Sequence, residues 1–141
     1  MLLYRSIGQT ELKKIINEIP VRGIYDCGLE PQTTCDKNNV VCLFTQPFKW
    51  TDKAHTFHLT LDIPESEITF GKAYYYMSKN AVKTKQWSGR YGEECVTFDE
   101  AYIDQYTIDN VLQIEGICAA YAKWYIDTFR HTLEKHNIRY L

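Results

Sequence analysis

The C-terminal stretch of this 141-residue sequence is the feature that most constrains its fold. At about 100° per residue, one stripe collects Cys118, Ala122, Tyr125, Ile126, Phe129 and Leu133. A second group widens this stripe sideways: Ile117, Tyr121, Trp124 and Thr128. Charged side chains lie on the opposite side: Lys123, Asp127, Arg130 and Glu134. The pattern predicts a long amphipathic helix, and such a helix must cover an apolar layer built by the rest of the chain.

The remaining sequence supplies that layer as short strands. In residues 2–7, Leu3, Arg5 and Ile7 point to one side and the alternate residues to the other, as in a strand. Related patterns predict five further strands, at residues 40–45, 57–61, 73–77, 95–98 and 111–114. A helix is predicted over residues 10–19, with Thr10 as its N-cap and Pro20 as its end.

These elements define the expected fold class. We expect an α+β fold with a small mixed or antiparallel sheet of about six short strands, an N-terminal helix and a long C-terminal amphipathic helix. Two long loops are expected between them, at residues 22–39 and 79–92, where glycine, proline and polar residues collect.

The composition limits the class of protein. Hydrophobic residues make up 45% and charged residues 24% of the chain, which is typical of a folded globule. The length fits one domain covering residues 1–141. A formal net charge of −2 argues against non-specific DNA binding, which needs a basic surface. We expect no secretory signal, because Leu2-Leu3-Tyr4-Arg5 stands where a basic region followed by a long apolar run would be needed. We expect no membrane association, because no apolar stretch approaches the roughly 18 residues of a membrane span.

The cysteines and histidines argue against a metal site. The five cysteines include no Cys-x-x-Cys pair, so we expect reduced thiols in a cytoplasmic protein. His55 and His58 are three residues apart on a predicted strand and therefore point to opposite faces. His131 and His136 are five apart on a predicted helix, which misses the spacing of a helical metal pair. A Cys–His hydrolase stays open as an alternative, although no spacing selects a particular pair.

Two features remain that can support chemistry. Arg5 lies between apolar neighbours in the first strand, so its charge either reaches solvent at a sheet edge or points inward against a partner. Glu93 and Glu94 stand at the head of the predicted strand 95–98. Adjacent residues of an extended chain face opposite ways, so one of these carboxylates can enter a cleft while the other stays in water. Solvated acids at the head of a strand are the alternative interpretation.

The order of these parts resembles the ADP-ribosyltransferase family. An opening Leu3-Tyr4-Arg5 strand is followed by a helix, a loop and a strand that ends in Phe44-Thr45. A carboxylate then heads a late strand, and the segment from Asp109 to Ile114 is similar to the closing strand of the family. The resemblance covers about residues 2–115 and leaves the C-terminal helix outside it.

The resemblance implies NAD as the cofactor and a set of site residues. It assigns Arg5, with its neighbour Tyr4, and Thr45 to cofactor binding, and Glu94 or its neighbour Glu93 to catalysis. An arginine suits the dinucleotide phosphates, and a carboxylate stabilises the positive charge that develops on the ribose when nicotinamide leaves. Tyr74 and Tyr75, or Trp87, are candidate rings to stack on nicotinamide.

The implied function is an effector- or toxin-like enzyme, of bacterial or phage type, that transfers ADP-ribose from NAD to a protein or nucleic-acid acceptor. The sequence departs from the family pattern at two points: no Ser-Thr-Ser triplet surrounds Thr45, and Gly92 stands two positions before Glu94. Two alternatives therefore stay open. One is a non-enzymatic inhibitor or immunity-type protein-binding domain, and the other is a family member that binds NAD without turnover.

Overall fold

The main feature of the fold is a seven-stranded sheet. The computed structural model describes residues 1–23, 40–47, 49–50, 57–77, 79–84, 86–87, 94–116 and 119–141. The strands are β1 (Leu2–Ile7), β2 (Val21–Arg22), β3 (Val41–Phe44), β4 (Lys49–Trp50), β5 (Phe57–Asp62), β6 (Thr69–Met77), β7 (Gln86–Trp87), β8 (Glu94–Ile103), β9 (Gln105–Tyr106), β10 (Val111–Gly116) and β11 (Arg139–Tyr140). The helices are α1 (Gln9–Ile16), α2 (Lys79–Thr84) and α3 (Ala119–Lys135), with 3₁₀ turns at Glu65–Glu67 and Ile108–Asn110.

The sheet has the strand order β11-β10-β5-β1-β3-β8-β6, so β1 is its central strand. Neighbouring strands are antiparallel except for the pair β10 and β11. Two small two-stranded ladders, β2 with β9 and β4 with β7, lie outside this sheet. The N-terminal strand is therefore built into the middle of the sheet and depends on chain segments far away in sequence.

The apolar core lies on one face of the sheet, between β1, β5 and β10 and the two longer helices. Leu3 and Ile7 of β1 are buried there, as are Leu59 and Leu61 of β5. Helix α1 adds Leu12, Ile15 and Ile16, and helix α3 adds Tyr125, Ile126 and Leu133. The rings of Tyr125 and Phe57 meet edge to face with centroids 5.9 Å apart, which fixes α3 on the sheet.

The structure confirms a mixed architecture of sheet and helices but corrects the size of the sheet, which has seven strands rather than about six. Residues 139–140 add the extra strand through hydrogen-bonded pairing with β10, which their composition does not reveal. Strands β6 and β8 are also longer than predicted, since they pair with each other over nine residue pairs.

Two other local predictions were wrong. The expected loop over residues 79–92 contains α2 and, at Gln86–Trp87, a strand parallel to β4. The first helix begins at Gln9 with Gly8 at its N-cap, rather than with Thr10 as the cap. The described part of the loop predicted over residues 22–39 is Arg22 in β2 and Gly23, and residues 24–39 lie outside the described residues.

Among its described side chains, helix α3 presents the predicted faces with two exceptions, Trp124 and Thr128, which are exposed. Tyr125, Ile126 and Leu133 are buried, and Phe129 is partly buried against the core. Trp124 is 59% exposed, although the sequence placed it beside the apolar stripe. The side chain of Ala122 lies outside the described residues. Across the described ranges, the helices are all too short or too polar to cross a membrane.

His136 connects the end of α3 to two other segments. Its ring nitrogens lie 2.7 Å from the Glu18 carboxylate, just after α1, and 3.2 Å from the Asp109 carboxylate. Lys135 approaches the same Glu18 oxygen at 3.6 Å. The hydrogen bond from His136, followed by the charge of Lys135, lowers the pKa of Glu18.

We expect Glu18→Gln to flatten the acid side of the stability profile. A carboxylate whose pKa is lowered by folding adds stability above its ordinary value of 4.5, and this stability is lost as the pH falls through the folded value. The melting temperatures of the wild type and of Glu18→Gln should therefore differ near neutral pH and converge on acidification. Thermal melts between about pH 3 and pH 7 measure this difference.

Glu65→Gln is the matched control for this experiment, because Glu65 is exposed and its side chain forms no ion pair within the described part of the chain. Its melting temperature should follow that of the wild type at every pH. A difference between wild type and Glu18→Gln that does not shrink in acid would contradict the role of the Glu18 carboxylate.

Candidate functional site

The guanidinium of Arg5 lies on the core side of the sheet, against α1. Its Nε donates to Glu11 Oε1 at 2.6 Å and its second terminal nitrogen donates to Glu11 Oε2 at 3.0 Å, so the pair is bidentate. The other terminal nitrogen donates to the carbonyl of Cys42 in β3 at 2.7 Å. Arg5 is 3% exposed and Glu11 4% exposed. Of the two alternatives for Arg5, the structure therefore shows the inward orientation against a partner.

Tyr106 completes this buried cluster. Its hydroxyl donates to Glu11 Oε1 at 2.7 Å, and the side chain is 1% exposed. Burial and then the nearby Glu11 carboxylate raise the pKa of Tyr106 well above its ordinary value, because both disfavour the phenolate. The cluster joins β1, α1, β3 and β9 through charge-assisted hydrogen bonds, and those among Arg5, Glu11 and Tyr106 are buried.

The sequence contained a signal for Glu11 that the prediction missed. Glu11 occupies the buried side of α1 together with Leu12 and Ile15. An acid on the apolar side of a helix requires a partner, and Arg5 six residues earlier carries the matching charge. Tyr106 had no comparable signal, since its position depends on the pairing of β9 with β2.

The family resemblance assigns Arg5 and Glu94 to one site, and the structure does not bring them together. Tyr4, Phe44 and Glu100 are in register across β1, β3 and β8. Glu94 lies six residues before Glu100, which is about 20 Å along an extended strand. By strand alternation Glu94 shares the face of Glu100 and Tyr4, whereas Arg5 points to the opposite face.

Thr45, the second cofactor-binding candidate, follows the end of β3. Its hydroxyl donates to the carbonyl of Asp99 at 3.1 Å, and its backbone N–H approaches the same oxygen at 3.5 Å. Thr45 is therefore half-buried at the point where β3 ends against β8. This contact fixes the position of the end of β3 along β8.

The remaining predicted residues are described only in part. Tyr74 and Tyr75 belong to β6, where their backbones pair with Thr97 and Val96, but their side chains lie outside the described residues. The same holds for the side chain of Trp87 in β7, and Glu93 lies wholly outside the described residues. Their assigned roles stay predictions.

A concave site lies on the sheet face that carries Tyr4. Two rows of residues in register cross β1, β5 and β10 on this face: Tyr4, Thr60 and Gln113, then Ser6, His58 and Glu115. A cavity of about 210 Å³ is lined by members of both rows and by Pro47. His58 Nδ1 lies 3.9 Å from Glu115 Oε2, and both residues line the cavity. Ser6 is 4% exposed, and its hydroxyl makes no hydrogen bond within the described part of the chain.

Glu100 is a second acid on the same face that the sequence analysis missed. It is 1% exposed and stands between β3 and β6, in register with Phe44 and Gly71. The predicted strand stopped at residue 98 because Asp99 and Glu100 interrupt its apolar character. In the structure β8 continues to Ile103, so Glu100 is a buried carboxylate in the interior of a strand.

The thiols and acids of the described residues do not gather into a metal site. In these ranges no three histidine, cysteine or acidic side chains are close enough to hold an ion. Cys42 and Cys95 form no disulfide with each other, and the other three cysteines lie outside the described residues.

Comparison with protein-family models, with curated proteins and with solved structures yields no match.

Proposed function

We propose that this protein is an NAD-dependent ADP-ribosyltransferase that modifies a macromolecular target, in the manner of an effector or toxin. One observation supports this proposal best. The three motifs of the family resemblance belong to β1, β3 and β8, which are separated in sequence by tens of residues, and these three strands are consecutive in the sheet. Residues that act on one cofactor must lie close together, and consecutive strands of a sheet can hold them so.

The face that carries Tyr4 is the better surface for the cofactor. The guanidinium of Arg5 is held by Glu11 and the Cys42 carbonyl on the other face, where the helices cover it. Arg5 therefore acts as a positioning residue that holds β1 against α1 and β3. The acids Glu94 and Glu100 share the face of Tyr4, and a carboxylate on this face would stabilise the ribosyl cation as nicotinamide leaves.

The test is to incubate the purified protein with NAD labelled on its adenylate group and a cell lysate. We expect label to become bound covalently to protein or nucleic acid, with release of nicotinamide in equal amount. Free ADP-ribose without labelled macromolecule would indicate hydrolysis in place of transfer. Neither label nor nicotinamide release would contradict the proposal.

Exposed aromatic side chains favour a second candidate, the non-enzymatic protein-binding domain. Trp124 on α3 is 59% exposed and Phe70 on β6 is 58% exposed. Large rings on the surface of a protein are typical of interface anchors. If this candidate is right, Trp124→Ala will weaken capture of a partner protein, and NAD will have no effect on that capture.

A further inference from the structure

We propose that the outer edge of β6 is an interface at which two copies of this chain pair in antiparallel orientation and extend the sheet across a two-fold axis. β6 is the last strand of the seven-stranded sheet and pairs with β8 on one side. Within the described part of the chain, no strand pairs with its other edge. An edge strand presents a row of backbone N–H and C=O groups that can pair with a strand of another chain.

β6 lacks the features that usually protect an edge strand from such pairing. It has nine residues, compared with about five or six in an average strand, and it pairs with β8 without a bulge. It contains no proline, and Lys72 is its one charged residue. Two such strands in full overlap form about nine backbone hydrogen bonds, which is close to the total of about ten in a typical protein interface.

The charges that flank β6 select a second copy of this chain as the partner. The turn before the strand carries Glu65 and Glu67. Helix α2, which follows the strand, carries Lys79 and Lys83. All four side chains are exposed and form no ion pair within the described part of the chain. In an antiparallel pair the start of each strand lies beside the end of the other, so each acidic end meets a basic end.

Full overlap of the two strands also defines their register. With all nine residues paired, Ala73 lies opposite its own copy on the two-fold axis. Phe70, which is 58% exposed, then lies opposite Tyr76 of the second copy, and aromatic cross-strand pairs stabilise a sheet. Lys72 lies opposite Tyr74 of the second copy, so the pairing does not place two lysines opposite each other.

The experiment is sedimentation equilibrium of the full chain over a range of protein concentrations. We expect a reversible dimer. Each single charge reversal, Glu67→Lys or Lys79→Glu, should raise its Kd by about tenfold, because two attractive contacts across the axis become repulsive. The double variant Glu67→Lys with Lys79→Glu restores opposite charges and should dimerise like the wild type. Lys123→Glu reverses an exposed lysine on α3 and is the matched control, so its Kd should not change.

A cysteine at the two-fold axis tests the register. Opposite Cα atoms of an antiparallel pair are about 4.5–5.5 Å apart, which is within the range that a disulfide spans. Under mild oxidation Ala73→Cys should therefore form a disulfide-linked dimer, whereas the wild type and Lys72→Cys should not. Thermal melts show that each variant is folded.

Two results would overturn this interface. One is a chain that stays monomeric at every concentration, and the other is a dimer whose Kd neither single charge reversal changes, since that dimer uses another surface. Both measurements are made without NAD, so the interface and the proposed function stand or fall separately.

Discussion

Replacing Glu11 with glutamine is expected to lower the free energy of unfolding by about 3–5 kcal/mol. The variant keeps the shape of the side chain but leaves the guanidinium of Arg5 buried beside a neutral partner. A buried charge that has lost its counter-charge retains its desolvation cost and loses the attraction that offset it. Urea denaturation, followed by fluorescence, measures the loss as a shift of the midpoint with an unchanged slope.

Two further variants keep this prediction testable if Glu11→Gln does not fold. Tyr106→Phe removes one hydroxyl that donates to the Glu11 carboxylate and should cost about 1.5–3 kcal/mol. The double variant Arg5→Met with Glu11→Leu removes both charges and should recover part of the stability lost in Glu11→Gln, because apolar side chains of similar volume replace a buried ion pair well. The recovery is incomplete because the Tyr106 hydroxyl and the Cys42 carbonyl lose their hydrogen bonds to this pair. A Glu11→Gln protein as stable as the wild type would show that Arg5 is not held as described.

Local sequence patterns predicted the elements whose burial follows from their own residues. The alternation of Leu3, Arg5 and Ile7 gave β1 with its correct bounds, and the helical spacing of Tyr125, Ile126 and Leu133 gave the buried side of α3. In each case a single periodic stripe faces one apolar layer. Such a stripe can be predicted from the sequence without knowing which element packs against it.

Elements that depend on a distant partner could not be predicted in this way. Strand β11 has only two residues and exists through its pairing with β10. The polar side chains of Asp99 and Glu100 gave the pattern of a strand end. Strand β8 nevertheless continues through both residues, because it pairs with β3 on one side and β6 on the other.

The candidate site shows the same limit at a larger scale. The family resemblance assigns Arg5 and Glu94 to one site and so to neighbouring strands, whereas β3 lies between β1 and β8. The order of the motifs predicted neither the sheet face of each side chain nor its position along the strand. Arg5 and Glu94 differ in both. The register of an antiparallel pair is set by side-chain packing across the sheet. The register therefore could not be predicted from a single sequence.

The second large effect, on the rate of the proposed reaction, is expected from neutralising the acidic residues on the sheet face that carries Tyr4. If the family resemblance assigns the roles correctly, Glu94→Gln should reduce the rate of ADP-ribose transfer by about a hundredfold or more. The change preserves the shape of the side chain and removes the charge that stabilises the ribosyl cation. The measurement is the initial rate of nicotinamide release at saturating NAD, with a thermal melt of each variant.

The same measurement on Glu100→Gln and Glu93→Gln shows which of the three carboxylates the reaction needs. Glu94 and Glu100 share one face, but Glu100 is in register with Tyr4 through Phe44 and is 1% exposed, whereas Glu94 is about 20 Å further along β8. A loss confined to Glu94→Gln supports the assignment made from the resemblance and requires the cofactor to extend along β8. A loss confined to Glu100→Gln moves the reaction to the row of Tyr4, next to the cavity of Glu115, and leaves the transferase proposal intact. If Glu93, Glu94 and Glu100 can be neutralised one at a time with an unchanged rate of nicotinamide release, stabilisation of the ribosyl cation by any one of these carboxylates is excluded. The protein-binding alternative then becomes the better account of the exposed Trp124 and Phe70.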